Sequence, residues 1–336
     1  MEESMKLVIS GATGFIGKHL TNRLVSKGYK IVVLTRDVEK AHQRLPNIKD
    51  IYKWDSMREL PPEQAFKNVD AVIHLAGEPI MTPFLSKIKM KKIMDSRTIG
   101  THKLMAQILK LKKLRRPEVK NLKTVISASA VGYYGNGGDK ILTENSPVGR
   151  DEIAEVCQSW ENEILVHNST DLRCVVMRSG IVLGNDGGIL PKIIPIFRLG
   201  IGAILGDGKQ SISWIHYKDI TAMYENVLTE KTINGVINAC APNAISNSQF
   251  SNELSQHFGH KCYLKIPAWA IKAIPGKISD LLLTGQKVYP QKMVESGFRF
   301  QYPYFAQSVN SLYPQKKVQQ RKKMTEKILK KDWPLF

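Results

Sequence analysis

The chain has 336 residues, 49 Lys or Arg against 30 Asp or Glu, and a formal net charge of +19. At 43% hydrophobic it can bury a real core, which excludes wholesale disorder, and its length suits one large or two modest domains. No stretch reaches the ~20 consecutive apolar residues of a membrane span, so none is expected.

The opening MEES runs directly into KLVIS (6–10), a short apolar strand. Without a basic leader or a long apolar run, a secretory peptide is not expected. GATGFIG follows, with Gly11, Gly14 and Gly17 between that strand and a helix over 15–28. Phe15, Ile16, Leu20, Leu24 and Val25 recur there at helical spacing, and Gly28 ends the run. Gly11 allows the tight turn. Gly14 lets backbone N–H groups approach a pyrophosphate at the positive end of the helix, and Gly17 lets helix and strand pack closely. With Thr13, Phe15 and Ile16 they form the expected nucleotide cradle.

KIVVLT (30–35) is a β-branched second strand ending in Leu34-Thr35-Arg36. An acidic residue at this place would bind the 2′-hydroxyl of NAD, whereas Arg36 suits the 2′-phosphate of NADP. Asp37 stands beside it, either serving NAD or capping a helix over 37–45. NADP is the expected cofactor and NAD the alternative. DIYKW (50–54) is a third strand, and Asp55 after it is placed either to contact adenine or to cap a helix. DAVIHLAG (70–77) is a fourth, buried strand. It ends in Leu75, Ala76 and Gly77, against which a cofactor can lie.

Residues 85–113 read as a long basic helix with a break near Asp95. Over 87–123 there are 13 Lys or Arg and 2 Asp or Glu, a net +11. Apolar residues from Leu85 to Leu111 would pack inward and leave the charges solvated. The alternative is contact with a substrate phosphate, a nucleic acid or a membrane surface. KTVISAS (123–129) is a fifth strand, 151–168 a helix, and LRCVVMR (172–178) a sixth strand. Buried strands separated by helices indicate a parallel sheet covered on both faces. After Gly184 the rhythm changes. A Gly-rich loop, GDGKQSISWIH (206–216), precedes a helix from about Lys218, and smaller elements follow to about 312.

Cys157, Cys174, Cys240 and Cys262 show no CxxC, so reduced, buried thiols and a cytoplasmic or organelle-matrix location are expected. No His, Cys, Asp and Glu grouping has metal-ligand spacing, so no metal is expected. The last segment, 315–336, carries 8 Lys or Arg against 2 Asp or Glu and reads as a solvated extension, with polyanion contact as the alternative.

GATGFIG, the VIHLAG strand end and SASAVGYYG together resemble the extended short-chain dehydrogenase/reductases. MRSGIVLG (177–184), WIHYKD (214–219) and the stretch from KIPAWAIKAIPGK to SGFRFQYP (265–303) are similar, more narrowly, to the atypical YfcH-like epimerase family proteins and their C-terminal module. The resemblance covers about 5–312 and leaves out the basic tail. It implies an α/β fold, a Rossmann-like doubly wound parallel sheet with a smaller C-terminal α/β substrate-binding part. The NADP-binding domain would be 5–184, completed by parts of 215–240. Residues 185–312 would be mainly the substrate-binding part, including the module at 265–312, with 313–336 as a basic tail. The implied activity is NADP-dependent oxidoreductase or epimerase chemistry on a small carbonyl or hydroxyl compound of a class that includes sugar derivatives. Related folds often dimerise through helices flanking the sheet, so a homodimer is an expectation.

The wider superfamily works through a Ser and a YxxxK pair. Lys lowers the Tyr pKa, and Tyr moves a proton while hydride moves at the nicotinamide. Ser129 matches the serine position. The helix at 151–168 has neither Tyr nor Lys, and the one YxxxK, Tyr313 to Lys317, contains Pro314 and falls beyond the domain. Tyr133 and Tyr134, close after Ser129, are the expected substitutes. Glu144, Glu155, His216 and Lys140 are further candidates, each also readable as a cap or an ordinary loop residue. Arg178, Trp214 and His216 are assigned to the substrate cleft. A buried structural arginine, a core tryptophan and a satisfied loop histidine are the respective alternatives. The missing pair also motivates a second function: a catalytically weak or inactive NADP-sensing or scaffold protein whose basic segments contact polyanions.

Overall fold

The computed structural model describes residues 4–79, 86–273 and 278–315. In chain order the first elements are β1 (Lys6–Ser10), α1 (Phe15–Ser26), β2 (Lys30–Thr35), α2 (Val38–Arg44), β3 (Asp50–Lys53), β4 (Ala71–His74), α3 (Lys87–Lys113) and β5 (Thr124–Ala130). Then come β6 (Ile141–Leu142), α4 (Glu152–Leu165), β7 (Arg173–Ser179), β8 (Ile181–Leu183), α5 (Leu190–Arg198), β9 (Ala203–Leu205), β10 (Ser211–Ile212), β11 (Trp214–His216), α6 (Tyr217–Thr229) and β12 (Gly235–Ala239). The last are β13 (Ile245–Ser246), α7 (Asn247–His257), β14 (Leu264–Ile266), α8 (Ala268–Lys272), α9 (Ile278–Leu283), β15 (Lys287–Val288), α10 (Gln291–Glu295) and α11 (Phe305–Leu312).

Seven strands form one sheet in the order β12-β7-β5-β4-β1-β2-β3, and every pairing in it is parallel. Its strands are apolar on both faces because helices cover both. In β1, Leu7 and Ile9 point into one layer with Leu20 and Leu24 of α1 and Met223, Tyr224 and Val227 of α6. Val8 points into the other, with Leu104 and Ile108 of α3 and Ile164 of α4. The strand order reverses between β1 and β4. In such sheets the crevice for a ligand lies outside the C-terminal strand ends at this switch point. A third, smaller core joins α5, α7 and α11 through Ile194, Leu254 and Val309.

Several expectations shift. The helix α3 runs unbroken, with Asp95 in its body and bridged to Lys91 at the i, i+4 spacing (3.1 Å). The fourth strand stops at His74 and leaves 75–77 as loop. A seventh strand, β12, extends the sheet beside β7. Three cysteines are buried and free, while Cys262 is half-buried. Leu85 and the tail from 316 onward lie outside the described residues. Among the described residues no helix is long and apolar enough to cross a membrane.

Candidate functional site

The loop between β1 and α1 is built by its glycines. Gly11 has φ +72°, and a Cβ there would lie 2.7 Å from the backbone of Leu75 and Ala76. Gly17 packs so closely under the loop that a Cβ would meet Gly11 O at 2.2 Å. Gly14 occupies the cap position of α1, and no side chain caps that helix. The N–H groups of Phe15, Ile16 and Gly17 in its first turn are therefore left for a ligand. Thr13 O accepts a hydrogen bond from Arg44 at 2.7 Å, which brings a second cation to the loop. Phe15 lies against Gly184 and Gly187. Lys18 and His19 both contact Asp186, so the loop is also tied to the segment after β8.

Arg36 is exposed at the end of β2 and makes no side-chain hydrogen bond among the described residues. Asp37 caps α2, its carboxylate accepting the Lys40 N–H at 2.9 Å. Asp55 accepts the Met57 N–H at 3.0 Å and so shapes the turn after β3. Glu78, just past Gly77, is held below the usual carboxylate range, first by its hydrogen bond from Lys89 and further by Lys92 and Arg36. Arg97 of α3 donates to Glu78 O at 2.9 Å and lies over the Trp160 ring. These residues suit an anionic dinucleotide: a cradle that any side chain would fill, a helix start uncapped among the described residues and an exposed guanidinium at the second strand end.

The end of β5 holds the second cluster. Ser129 is 2% exposed and donates to Glu161 Oε1 at 2.6 Å. Arg178, at the end of β7, grips Glu161 with two bonds of 2.8 and 2.7 Å, and both side chains are 3% exposed. Burial alone would pull the Arg178 pKa down, but the Glu161 carboxylate more than offsets it, so the guanidinium stays charged. Arg178 also donates to Tyr134 Oη at 2.9 Å, and Tyr134 donates to Asn238 Oδ1 at 2.7 Å. Burial pushes the Tyr134 phenol up to about 12. The Tyr133 ring lies under the same guanidinium, 3.3 Å from its carbon, while its hydroxyl makes no hydrogen bond among the described residues. The structure thus brings Ser129, Tyr133, Tyr134 and Arg178 together.

The remaining candidates scatter. Trp214 is fully buried, with its indole N–H on Asn243 O at 3.0 Å and its ring edge-on to Phe305, so it packs the smaller core and not a cleft. His216 is fully buried too. It caps α6 through the Lys218 N–H and stacks between Tyr217 and Tyr302, and burial lowers its pKa to about 3. Glu144 is buried and accepts the Asn238 N–H at 3.0 Å. Glu155 and Lys140 are exposed.

Two groups escaped the sequence reading. Cys157 and Glu161 on α4 stand four residues apart and both face the β5 end, at the spacing of the missing YxxxK pair. Burial, reinforced by the Glu161 charge, pushes the Cys157 thiol up to about 12. The i, i+4 spacing was the available signal. The other group is His74, fully buried at the end of β4 between Ser10 Oγ (2.6 Å) and Thr101 Oγ1 (3.1 Å). Thr101 also accepts the Trp160 indole N–H at 3.0 Å.

Residues 7–240 match the NAD dependent epimerase/dehydratase family, and 266–312 match a domain of unknown function, DUF1731. The Arabidopsis thaliana protein named epimerase family protein SDR39U1 homolog, chloroplastic, is 38% identical over 311 residues, 93% of this chain and 87% of its own. Epimerase family protein YfhF of Bacillus subtilis is 32% identical over 89% of this chain and 94% of its own. The crystal structure of human epimerase family protein SDR39U1 with NADPH superimposes at a TM-score of 0.79 and 27% identity, covering 92% of this chain and 99% of that one. A nucleoside-diphosphate sugar epimerase from Corynebacterium glutamicum gives 0.74 at 26% identity, over 97% of this chain and 62% of that one.

Proposed function

Because the chain belongs to the NAD dependent epimerase/dehydratase family, we propose that it binds NADP at the β1–α1 loop and acts on a carbonyl or hydroxyl compound, with sugar-derived compounds the first class to test. One observation carries the reading. The uncapped start of α1 and the turn from Ser129 to Tyr134 lie on the same edge of one parallel sheet, at the C-terminal ends of β1 and β5. The NADPH of the human relative's structure and the exposed Arg36 support NADP over NAD. The sugar epimerase neighbour supports the substrate class. Residues 5–184, completed by parts of 215–240, make the cofactor domain in this reading, and 185–312 make the substrate part. Three buried, free cysteines and the chloroplastic name of the Arabidopsis relative support a reducing compartment, cytoplasm or organelle matrix.

The bound cofactor supplies the hydride donor or acceptor. The chain supplies position and a proton. Backbone N–H groups from Phe15 to Gly17 hold the pyrophosphate, and Arg36 takes the 2′-phosphate. Ser129 donates its proton to Glu161, so it can accept a hydrogen bond from the hydroxyl form of the substrate only. Tyr134 is engaged at both ends of its hydroxyl. That leaves Tyr133 as the proton donor, its ring oriented by Arg178. Tyr133→Phe should lower kcat on an identified substrate by roughly 10²–10⁴ while leaving NADPH affinity unchanged. Undiminished turnover would remove Tyr133 from the reaction.

A second reading, an NADP-sensing protein without turnover, is favoured by α4. Where the superfamily carries YxxxK, this helix presents a thiol held neutral and a carboxylate neutralised by Arg178. NADPH oxidation measured across a panel of carbonyl compounds separates the two readings.

A further inference from the structure

The opposite edge of the sheet carries a cavity that the strand-end site does not use. The helix α3 ends at Lys113, and the chain turns through Arg115 and Arg116 into a short 3-10 turn, Pro117–Val119. Here lies a cavity of about 500 Å³ lined by Lys112, Arg115, Arg116 and Lys120, with Asp171 its one carboxylate and Val119 its buried wall.

Ordinary helix electrostatics explains part of this charge. Cations in the last turn complement the negative end of the helix dipole. Lys110 does so while pairing with Glu63 at 2.8 Å, and Lys112 donates to Leu122 O at 3.0 Å. Arg115, Arg116 and Lys120 lie beyond the helix. Among the described residues none of the three makes a side-chain hydrogen bond or an ion pair within 4 Å. Arg116 contributes only a longer-range field that helps hold Glu63 low, after the dominant effect of Lys110.

The backbone supplies an independent observation. Arg115 sits at φ +49°, in the left-handed region where a residue with a β-carbon is strained. This is the position after a helix that glycine fills without strain. The turn needs the conformation, since Arg115 N–H bonds Lys112 O (2.9 Å) and Arg116 N–H bonds Leu111 O (3.4 Å). An arginine there, with its guanidinium unpaired among the described residues at a basic cavity, points from strain to function.

We propose that this cavity binds a compact polyphosphate, two or more adjacent phosphate groups held by Arg115, Arg116 and Lys120, independently of the strand-end site. The volume falls in the roughly 300–1,000 Å³ range of small-ligand pockets. Arginine forks match phosphate oxygens in pairs. An extended nucleic acid fits less well. Among the described residues no aromatic side chain lines the cavity for base stacking. The adjoining hollow sets Glu63 and Glu118 against Lys67 and Arg116, so the positive surface is interrupted on that side.

The test uses the full-length protein and inorganic tripolyphosphate, followed by calorimetry near physiological salt. Wild type should bind one equivalent. Arg115→Gly should weaken binding at least tenfold while leaving the melting temperature unchanged or raised, because glycine relieves the backbone. Arg116→Gln with Lys120→Gln should also weaken it, with NADPH affinity unchanged in all variants. Absence of saturable binding by wild type overturns the proposal. So does binding that survives both variants, which would assign the anion to another basic segment. A 12-nucleotide RNA that binds wild type more tightly than tripolyphosphate, and loses that affinity in the variants, overturns the compact ligand in favour of nucleic acid.

Discussion

Arg36 is a long, exposed cation at a strand end, with no side-chain hydrogen bond among the described residues. Its neighbour Asp37 caps α2 through one carboxylate oxygen, Oδ1. Arg36→Ala should therefore weaken NADPH binding by about tenfold or more, as one lost charge-assisted phosphate contact is worth roughly 1.5–3 kcal/mol. NADH binding should change little, and titrations of both nucleotides against both proteins check this. Equal losses would show that Arg36 does not read the phosphate. The position of Arg36 is legible in the sequence because a glycine loop and a β-branched strand mark it locally. Glu161 is not. It lies in a helix of mixed polarity, and only the folded sheet brings it against Ser129, 32 positions away, and Arg178, 17 positions away. Such a residue reads as surface charge until its partners are placed.

Secondary elements are joined on the α3 and α4 face by His74. Its ring links β4 to Ser10 of β1 and Thr101 of α3, and Thr101 holds Trp160 of α4. Burial lowers its pKa from 6.5 to about 4. As pH falls, the unfolded chain takes up this proton first. The contribution is thus full above about 6.5 and is lost towards 4. A shift of this size corresponds to roughly 3 kcal/mol. Denaturant melts at pH 7 and 4.5 should show His74→Gln losing about 2–3 kcal/mol less across this window than wild type; equal losses would contradict it. The depressed pKa of His216 acts in the same direction and remains in the variant. Six of the seven sheet strands follow from apolar runs and glycine punctuation, which are local. The expected break in α3 does not occur, because Lys91 and Asp95 support the helix from its exposed side while Met90, Ile93 and Leu104 anchor the other. Burial of Trp214 and His216 depends on α11 and on the stretch around Tyr302, far along the chain, so no local pattern announces it.

At the scale of the whole molecule, the nucleotide loop and the C-terminal part share a column of rings. Phe15 and His19 meet Tyr217, His216 stacks on Tyr217 at 4.8 Å, and Tyr302 stacks on His216 at 3.9 Å. NADPH at a hundredfold excess over its Kd should add about 2.7 kcal/mol to folding stability. Hydrogen exchange should then slow at 298–312 as well as at 11–17, since ordering one end of the column restrains the other. Protection confined to 11–17 would show the two regions to be uncoupled. Beside the column, the buried Asp219 carboxylate accepts the N–H groups of Gln301 (2.8 Å) and Tyr302 (2.9 Å). The two family matches, 7–240 and 266–312, therefore meet in one seam although they are separate along the chain. Cutting after 240 would expose a buried acid and an imidazole, and a liberated 266–312 would lose the acceptor for both amides. Each piece completes groups that the other leaves open, and a substitution on one side of the seam is answerable to residues on the other.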